Sequence, residues 1–129
     1  MIVVDSSVWV DYFNGIITPQ TNKLDMLLPQ QLIVVGDLIL TEVLQGFRDD
    51  KEYQTASQLL QSLRFYDMLG KPLALKTAQN YRYLRKQGIT VRKTIDVMIA
   101  TFCIENDFPL LHSDKDFDKM LILGLRTVV

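Results

Sequence analysis

The sequence predicts an α/β fold: a single three-layer domain with a short parallel β-sheet flanked by helices. Three observations carry this expectation. The continuous apolar runs Ile2-Val3-Val4, Leu32-Ile33-Val34-Val35 and Pro109-Leu110-Leu111 have strand length and lack alternation, as do strands buried on both faces. Segments of helical length separate them, which is the pattern of parallel strands joined by crossover helices. Asp5 and Asp114 fall just past two of the runs, where open parallel sheets gather their ligands.

In chain order, Ile2 to Val4 reads as a buried strand. Ser6 to Phe13 reads as a helix, capped by Asp5 or Ser6 and ended at Asn14-Gly15. Thr21 to Leu28 reads as a helix stopped by Pro29, and Leu32 to Val35 as a second strand closed by Gly36-Asp37. Leu38 to Phe47 and Tyr53 to Leu63 are expected as helices, and Phe65 to Met68 as a short strand. Lys71-Pro72 opens a helix that runs to Gln87, with Gly88 at its C-terminal cap. Thr94 to Asn106 is a further helix with Thr94 as the expected N-cap, and Pro109 to His112 and Arg126 to Val128 are the last strands. No repeat, low-complexity tract or linker interrupts the 129 residues, so one domain over residues 1–129 is expected.

Composition narrows the classes. Hydrophobic residues make up 48% and charged residues 22%, a globular balance with enough apolar surface for a core. No apolar run approaches the ~20 residues of a membrane helix. Met1 leads straight into the first strand with no basic leader, so no signal peptide and a cytoplasmic location are expected, with no membrane partner. Cys103 is the single cysteine, which excludes an internal disulfide and a cysteine-based zinc cluster; it reads as a small core residue. The net charge of −1 disfavours a general electrostatic nucleic-acid binder, but leaves room for local basic patches.

Four acids stand where buried charge is costly. Asp5 ends Ile2-Val3-Val4, Glu42 follows Leu38-Ile39-Leu40-Thr41, Asp96 opens Val97-Met98-Ile99-Ala100, and Asp114 follows Leu110-Leu111-His112-Ser113. An isolated ionised carboxylate in an apolar setting costs several kcal/mol or more. Each acid also has a plainer reading. Asp5 caps a helix, Glu42 lies on a mixed helix face with Leu38 and Gln45, and Asp114 belongs to the solvated turn Asp114-Lys115-Asp116-Phe117-Asp118. Asp96 resists most, because Ile99, Ala100 and Cys103 put it within an apolar helix face, whereas a first-turn acid favoured by the helix dipole would point outward. Two unit charges ~4 Å apart repel by roughly 4 kcal/mol at an effective dielectric near 20. A gathered set therefore takes up protons or a cation. All-oxygen ligands suit Mg²⁺ or Mn²⁺; with one His and one Cys in the chain, zinc is a poorer match and His112 reads as a strand-end residue. Carboxylate-held Mg²⁺ beside a parallel sheet points to phosphate chemistry.

At these residues the chain resembles the PIN-domain ribonucleases, specifically the VapC-type toxins of toxin–antitoxin pairs. The matching pieces are Ile2-Val3-Val4-Asp5-Ser6-Ser7-Val8-Trp9, Leu40-Thr41-Glu42-Val43, Thr94-Ile95-Asp96-Val97-Met98-Ile99-Ala100 and Leu110-Leu111-His112-Ser113-Asp114-Lys115-Asp116-Phe117. They cover essentially the whole chain; each is weak alone, and their order makes them specific. The resemblance implies a PIN-like nuclease domain that cleaves RNA with Mg²⁺ or Mn²⁺. It implies Asp5, Glu42, Asp96 and Asp114 as catalytic metal ligands, with Asp116 assisting through a water or a second ion. Ser6 and Ser113 match hydroxyl positions that support the acids, although Thr is commoner at the second, and Ser6 equally suits an N-cap. A cognate antitoxin and a homodimer are implied as partners. Trp9, Tyr12 and Phe13 either line the antitoxin groove or, as the leading reading, pack in the core.

The segment Tyr81 to Lys93 carries five basic residues and two tyrosines and leads into Asp96. Such a mixture suits single-stranded RNA, by phosphate contact and base stacking, and equally suits a solvated helix face. Arg85 falls on the apolar stripe Ala74, Ala78, Tyr81, Leu84, so either it snorkels or it reaches the acids; Arg85 or Arg92 is the candidate for RNA contact. Two other readings compete. A receiver-like or other phosphate-handling α/β domain needs an acidic pair after the first strand, where this chain has Asp5-Ser6-Ser7. A binding module without catalysis would have no reason to keep all four acids.

Overall fold

The computed structural model describes residues 1–129. Five strands form one sheet: β1 (Ile2–Val4), β2 (Ile33–Gly36), β3 (Arg64–Tyr66), β4 (Leu110–Leu111) and β5 (Thr127–Val128). Their order is β3-β2-β1-β4-β5 and every pairing is parallel. Val3, Val4, Val34, Leu110 and Leu111 are fully buried, and Val35 nearly so. Strands covered on both faces cannot alternate polar with apolar residues, hence their unbroken hydrophobicity. β3 is an edge strand, and there Arg64 and Phe65 are exposed.

Six helices connect and flank the strands: α1 (Ser6–Phe13), α2 (Pro19–Leu27), α3 (Asp37–Leu44), α4 (Asp50–Gln61), α5 (Gly70–Lys86) and α6 (Thr94–Glu105). α1 packs on α2 and α3, and α3 on α4; separately, α5 packs on α6. Trp9 is fully buried and stacks on Phe13 at 5.8 Å, so the core reading of that aromatic set holds for Trp9. Tyr12 and Phe13 are half-buried against the core. Cys103 is buried among the core residues, and burial pushes its thiol pKa up. No helix is long and apolar enough to cross a membrane.

The element boundaries depart from expectation where capping chemistry decides them. α2 begins at Pro19, not Thr21, because Thr18 and Thr21 form a reciprocal capping box with Pro at the first helical position. α4 begins at Asp50, not Tyr53, because Asp49 accepts from the Glu52 N–H at 2.8 Å. α3 stops at Leu44, short of Phe47. Thr94 is not the N-cap of α6: Lys93 holds that position in extended conformation with no side-chain cap bond. The acidic turn after β4 is a 3₁₀ segment, Lys115–Leu123, which buries Phe117 and Met120 against the core at a spacing of three.

This order has one consequence for function. The strand order reverses direction between β1 and β4, so the loops beyond their carboxyl ends diverge and leave a crevice. Asp5 leaves β1 at that crevice, and Ser113-Asp114 leaves β4 there.

Candidate active site

The crevice is built from a strand end upward. The Asp5 N–H donates to Leu111 O at 2.9 Å, which pins the two strand ends together. Asp5 then caps α1, and its Oδ2 accepts from the Ser7 N–H at 3.0 Å and the Ser7 hydroxyl at 2.6 Å. Ser7 Oγ in turn accepts from the Ser113 N–H at 3.1 Å. One hydroxyl thus joins the loops after β1 and β4 and fixes which way Asp5 points. Asp5 Oδ1 is buried without a hydrogen-bond partner. Capping accounts for one oxygen of Asp5 and leaves the other unexplained.

Glu42 comes from α3 and is half-buried; its Oε1 accepts from the Ser6 hydroxyl at 3.1 Å. Ser6 thus reaches Glu42 with its hydroxyl, and the N-cap position belongs to Asp5. Ser113 contributes through its backbone N–H and is exposed. Asp96, in the first turn of α6, is 2% exposed, with Oδ2 buried and lacking a hydrogen bond. Lys93 Nζ stands 4.0 Å from it. Asp114 caps the 3₁₀ segment by accepting from the Asp116 N–H at 2.9 Å, while its own N–H donates to His112 Nδ1 at 3.2 Å. One carboxylate oxygen each from Asp96, Asp114 and Asp116 lies within 4.8 Å of the others. Asp5, Glu42, Lys93 and Asp114 line a common cleft of about 460 Å³.

The electrostatics register the crowding. Burial is the main cause that raises the Asp5 pKa, opposed by the Ser7 bonds and reinforced by Asp114. Glu42 is raised for the same reason, with Ser6 opposing and Asp5 adding. Asp96 is pushed up to about 7, first by burial, with Lys93 opposing and Asp5, Asp114 and Glu42 adding. Each of these three acids thus senses others of the set. Asp116 goes the other way: the Arg92 hydrogen bond at 3.1 Å holds its pKa down.

Of the two arginines expected near RNA, only Arg92 reaches the acids. Arg85 makes no ion pair; its guanidinium lies over the Tyr81 ring at 5.2 Å. It lines a separate groove of about 480 Å³ between α5 and α6, where Ala74 and Ala78 are exposed. Of the apolar stripe that suggested an inward Arg85, Leu84 is buried in the core, but Ala74 and Ala78 are open surface and Arg85 itself is exposed. Sequence reasoning missed Ser7, Lys93 and Lys119. The Ser6-Ser7 doublet was the available signal for the first, because a cap at Asp5 puts the Ser7 N–H and hydroxyl within reach of the carboxylate.

Residues 2–121 match the family model described as PIN domain. The chain belongs to the PIN-domain family. Within it, this PIN protein is 31% identical over 120 residues to the VapC ribonuclease Mb1587 of Mycobacterium bovis, covering 92% of this chain and 90% of that one. It is equally similar to ribonuclease VapC11 of Mycobacterium tuberculosis. These relatives place it with the VapC proteins. The fold matches VapBC2 of Rickettsia felis bound to a promoter DNA fragment, at TM-score 0.76 and 18% identity over 99% of this chain and 98% of that one. It also matches VapC20 of Mycobacterium tuberculosis, a sarcin–ricin loop cleaving toxin, at TM-score 0.68 and 15% identity over 92% and 93% of the two chains. Family membership removes the receiver-like reading.

Proposed function

We propose that this VapC-type protein is the endoribonuclease toxin of a type II toxin–antitoxin pair. In this reading residues 1–129 act as one nuclease domain that hydrolyses RNA phosphodiesters with Mg²⁺ or Mn²⁺, leaving a 5′-phosphate and a 3′-hydroxyl. The observation that carries it is the pair of buried oxygens without a hydrogen bond, Asp5 Oδ1 and Asp96 Oδ2, within a group of mutually repelling acids. Buried polar atoms without partners are rare, and a charged one is especially costly. An oxygen-liganded divalent cation in the crevice would offset the charge on both.

Asp96 and Asp114, whose oxygens already lie within 4.8 Å of each other, would hold the ion, with Asp5 and Glu42 turning to it from the end of β1 and from α3, Glu42 kept in place by Ser6. When bound, such an ion polarises a phosphoryl oxygen, lowers the pKa of a water and steadies the leaving oxygen. The chain's own groups set the conditions. Ser7 keeps Asp5 oriented without consuming its second oxygen. Asp96 must shed the proton it holds below about pH 7 before it can ligate. Lys93 offsets charge at the rim of the cleft. No Ser–His pair is needed for attack.

VapBC assemblies among the solved structures that share the fold support a cognate antitoxin, and a homodimer and a cytoplasmic setting complete the proposal. Phe13, Val43 and Phe47 line a shallow cleft of about 240 Å³ that an antitoxin segment would enter. The test is to induce the chain in cells and sequence the RNA ends that appear, beside Asp96→Asn. New 5′-phosphate ends at defined sites are expected from the wild type alone. Identical end profiles from both would overturn the reading.

A further inference from the structure

Asp116 lies close enough to Asp96 and Asp114 to share an ion with them. Its surroundings differ from theirs. Asp5 and Asp96 each keep a buried oxygen without a hydrogen bond, the nearest cation to that of Asp96 being Lys93 at 4.0 Å, whereas both oxygens of Asp116 face cations more closely. Oδ2 accepts from Arg92 Nε at 3.1 Å, and Oδ1 stands 3.3 Å from Lys119 Nζ. Asp116 itself is 4% exposed, while the side chains of Arg92 and Lys119 are 72% and 45% exposed. A buried anion is therefore paired with two cations that reach out into solvent. Lys119 is further fixed by donating to Thr90 O at 3.1 Å. The Arg92 guanidinium is engaged through Nε, so the Nη side of its planar fork faces outward. Arg92 also senses the charges of Asp114 and Asp96, which places it at the edge of the acid cluster.

We infer that Asp116 is a positioning residue and not a metal ligand: it holds Arg92 and Lys119 at the rim of the acidic cleft, where Arg92 receives a backbone phosphate of single-stranded RNA. This rests on the nuclease reading above and deepens it. The physical need is plain. A cluster of carboxylates repels the polyanion it must cut, and a cation fixed at the rim offsets that repulsion before any base is read. A fork held through Nε leaves its remaining donors oriented for a phosphate, at less entropic cost than a free arginine.

Two measurements separate the parts. In Mn²⁺ titrations by calorimetry, Asp96→Asn should weaken binding about tenfold or more, the scale of a lost ligand or its direct support. Asp116→Asn should leave the affinity close to that of the wild type. Equal losses in the two variants would make Asp116 a ligand and overturn the inference. That arm reads metal alone, so it stands even if the chain cuts no RNA.

The second arm uses the anisotropy of a short labelled single-stranded RNA in Mg²⁺, in a Glu42→Gln background so that the probe stays intact. Arg92→Ala should weaken binding and make its salt dependence shallower by roughly 0.7, the slope of one phosphate contact on a single strand. Arg92→Lys should restore the slope. In an Asp116→Asn background, Arg92→Ala should lose much of its effect. A slope unchanged by Arg92→Ala, or a parent that binds no RNA, would overturn the phosphate assignment. Absence of cleavage by the wild type with these results intact would instead count against the nuclease reading.

Discussion

At the scale of single residues, the acids announced themselves and their supports did not. A carboxylate inside an apolar run carries an energetic penalty visible in one dimension, which is why Asp5, Glu42, Asp96 and Asp114 stood out. Ser7 has no such signature, since a serine in the first turn of a helix is ordinary. Its importance depends on β4 arriving alongside, and only folding supplies the Ser113 N–H it accepts. Ser7→Ala should cost about 1–3 kcal/mol, because it removes a donor to Asp5 and leaves the Ser113 N–H without its acceptor. Urea unfolding checks this. The same variant should bind Mn²⁺ more weakly, because the lost bond favoured the ionised form of Asp5 and its pKa would rise further. A Ser7→Ala chain with wild-type stability and wild-type Mn²⁺ affinity would remove the claim that this hydroxyl organises the site.

At the scale of elements, the strands were legible because burial on both faces leaves an unbroken hydrophobic record. Helix starts were less so, because a cap is a local geometric event spread over four residues. Thr18-Pro19-Gln20-Thr21 held the signal for α2. The expectation that the helix began at Thr21 mistook its third residue for its first. Thr18→Ala should cost about 1 kcal/mol, the usual worth of an N-cap. The 3₁₀ segment was hidden by its charges: Asp114, Asp116 and Asp118 suggest a solvated turn until Phe117 and Met120 are seen in the core. A sharper element-level test is the junction of β2 and α3. A Cβ on Gly36 would stand 2.0 Å from Met68 Sδ and 2.1 Å from its Cγ, and Met68 is fully buried. Gly36→Ala should therefore destabilise by roughly 1–3 kcal/mol, as overpacking does. Adding Met68→Ala should return part of that loss, so the double mutant should cost less than the sum of the two single changes. Additive effects in thermal unfolding would mean that the two residues do not compete for the same space.

At the scale of the whole molecule, the acidic crevice ties the fold's stability to protons and, on the metal reading proposed above, to cations as well. Asp96 is raised from 3.8 to about 7 in the folded chain. Between those values the folded state binds more protons than the unfolded state, so stability falls as pH rises through the window. Asp5 and Glu42 are raised too and act in the same direction. Asp116 is lowered, so its contribution is lost only as pH falls below the ordinary carboxylate range, outside this window. In chelator, the melting temperature should therefore decline from about pH 5 to about pH 7 on this linkage. Asp96→Asn should flatten that decline, because its amide never ionises. A divalent cation held as proposed would bind the ionised set and the folded state only, so Mg²⁺ should raise the melting temperature, and by more as pH rises toward and past 7. The two trends oppose each other, and they share one cause in the protons that the cation must displace. Differential scanning calorimetry across this range, with and without Mg²⁺, measures both. A melting temperature that climbs with pH in chelator, or a Mg²⁺ gain independent of pH, would show that these carboxylates are not the groups through which metal and fold are coupled.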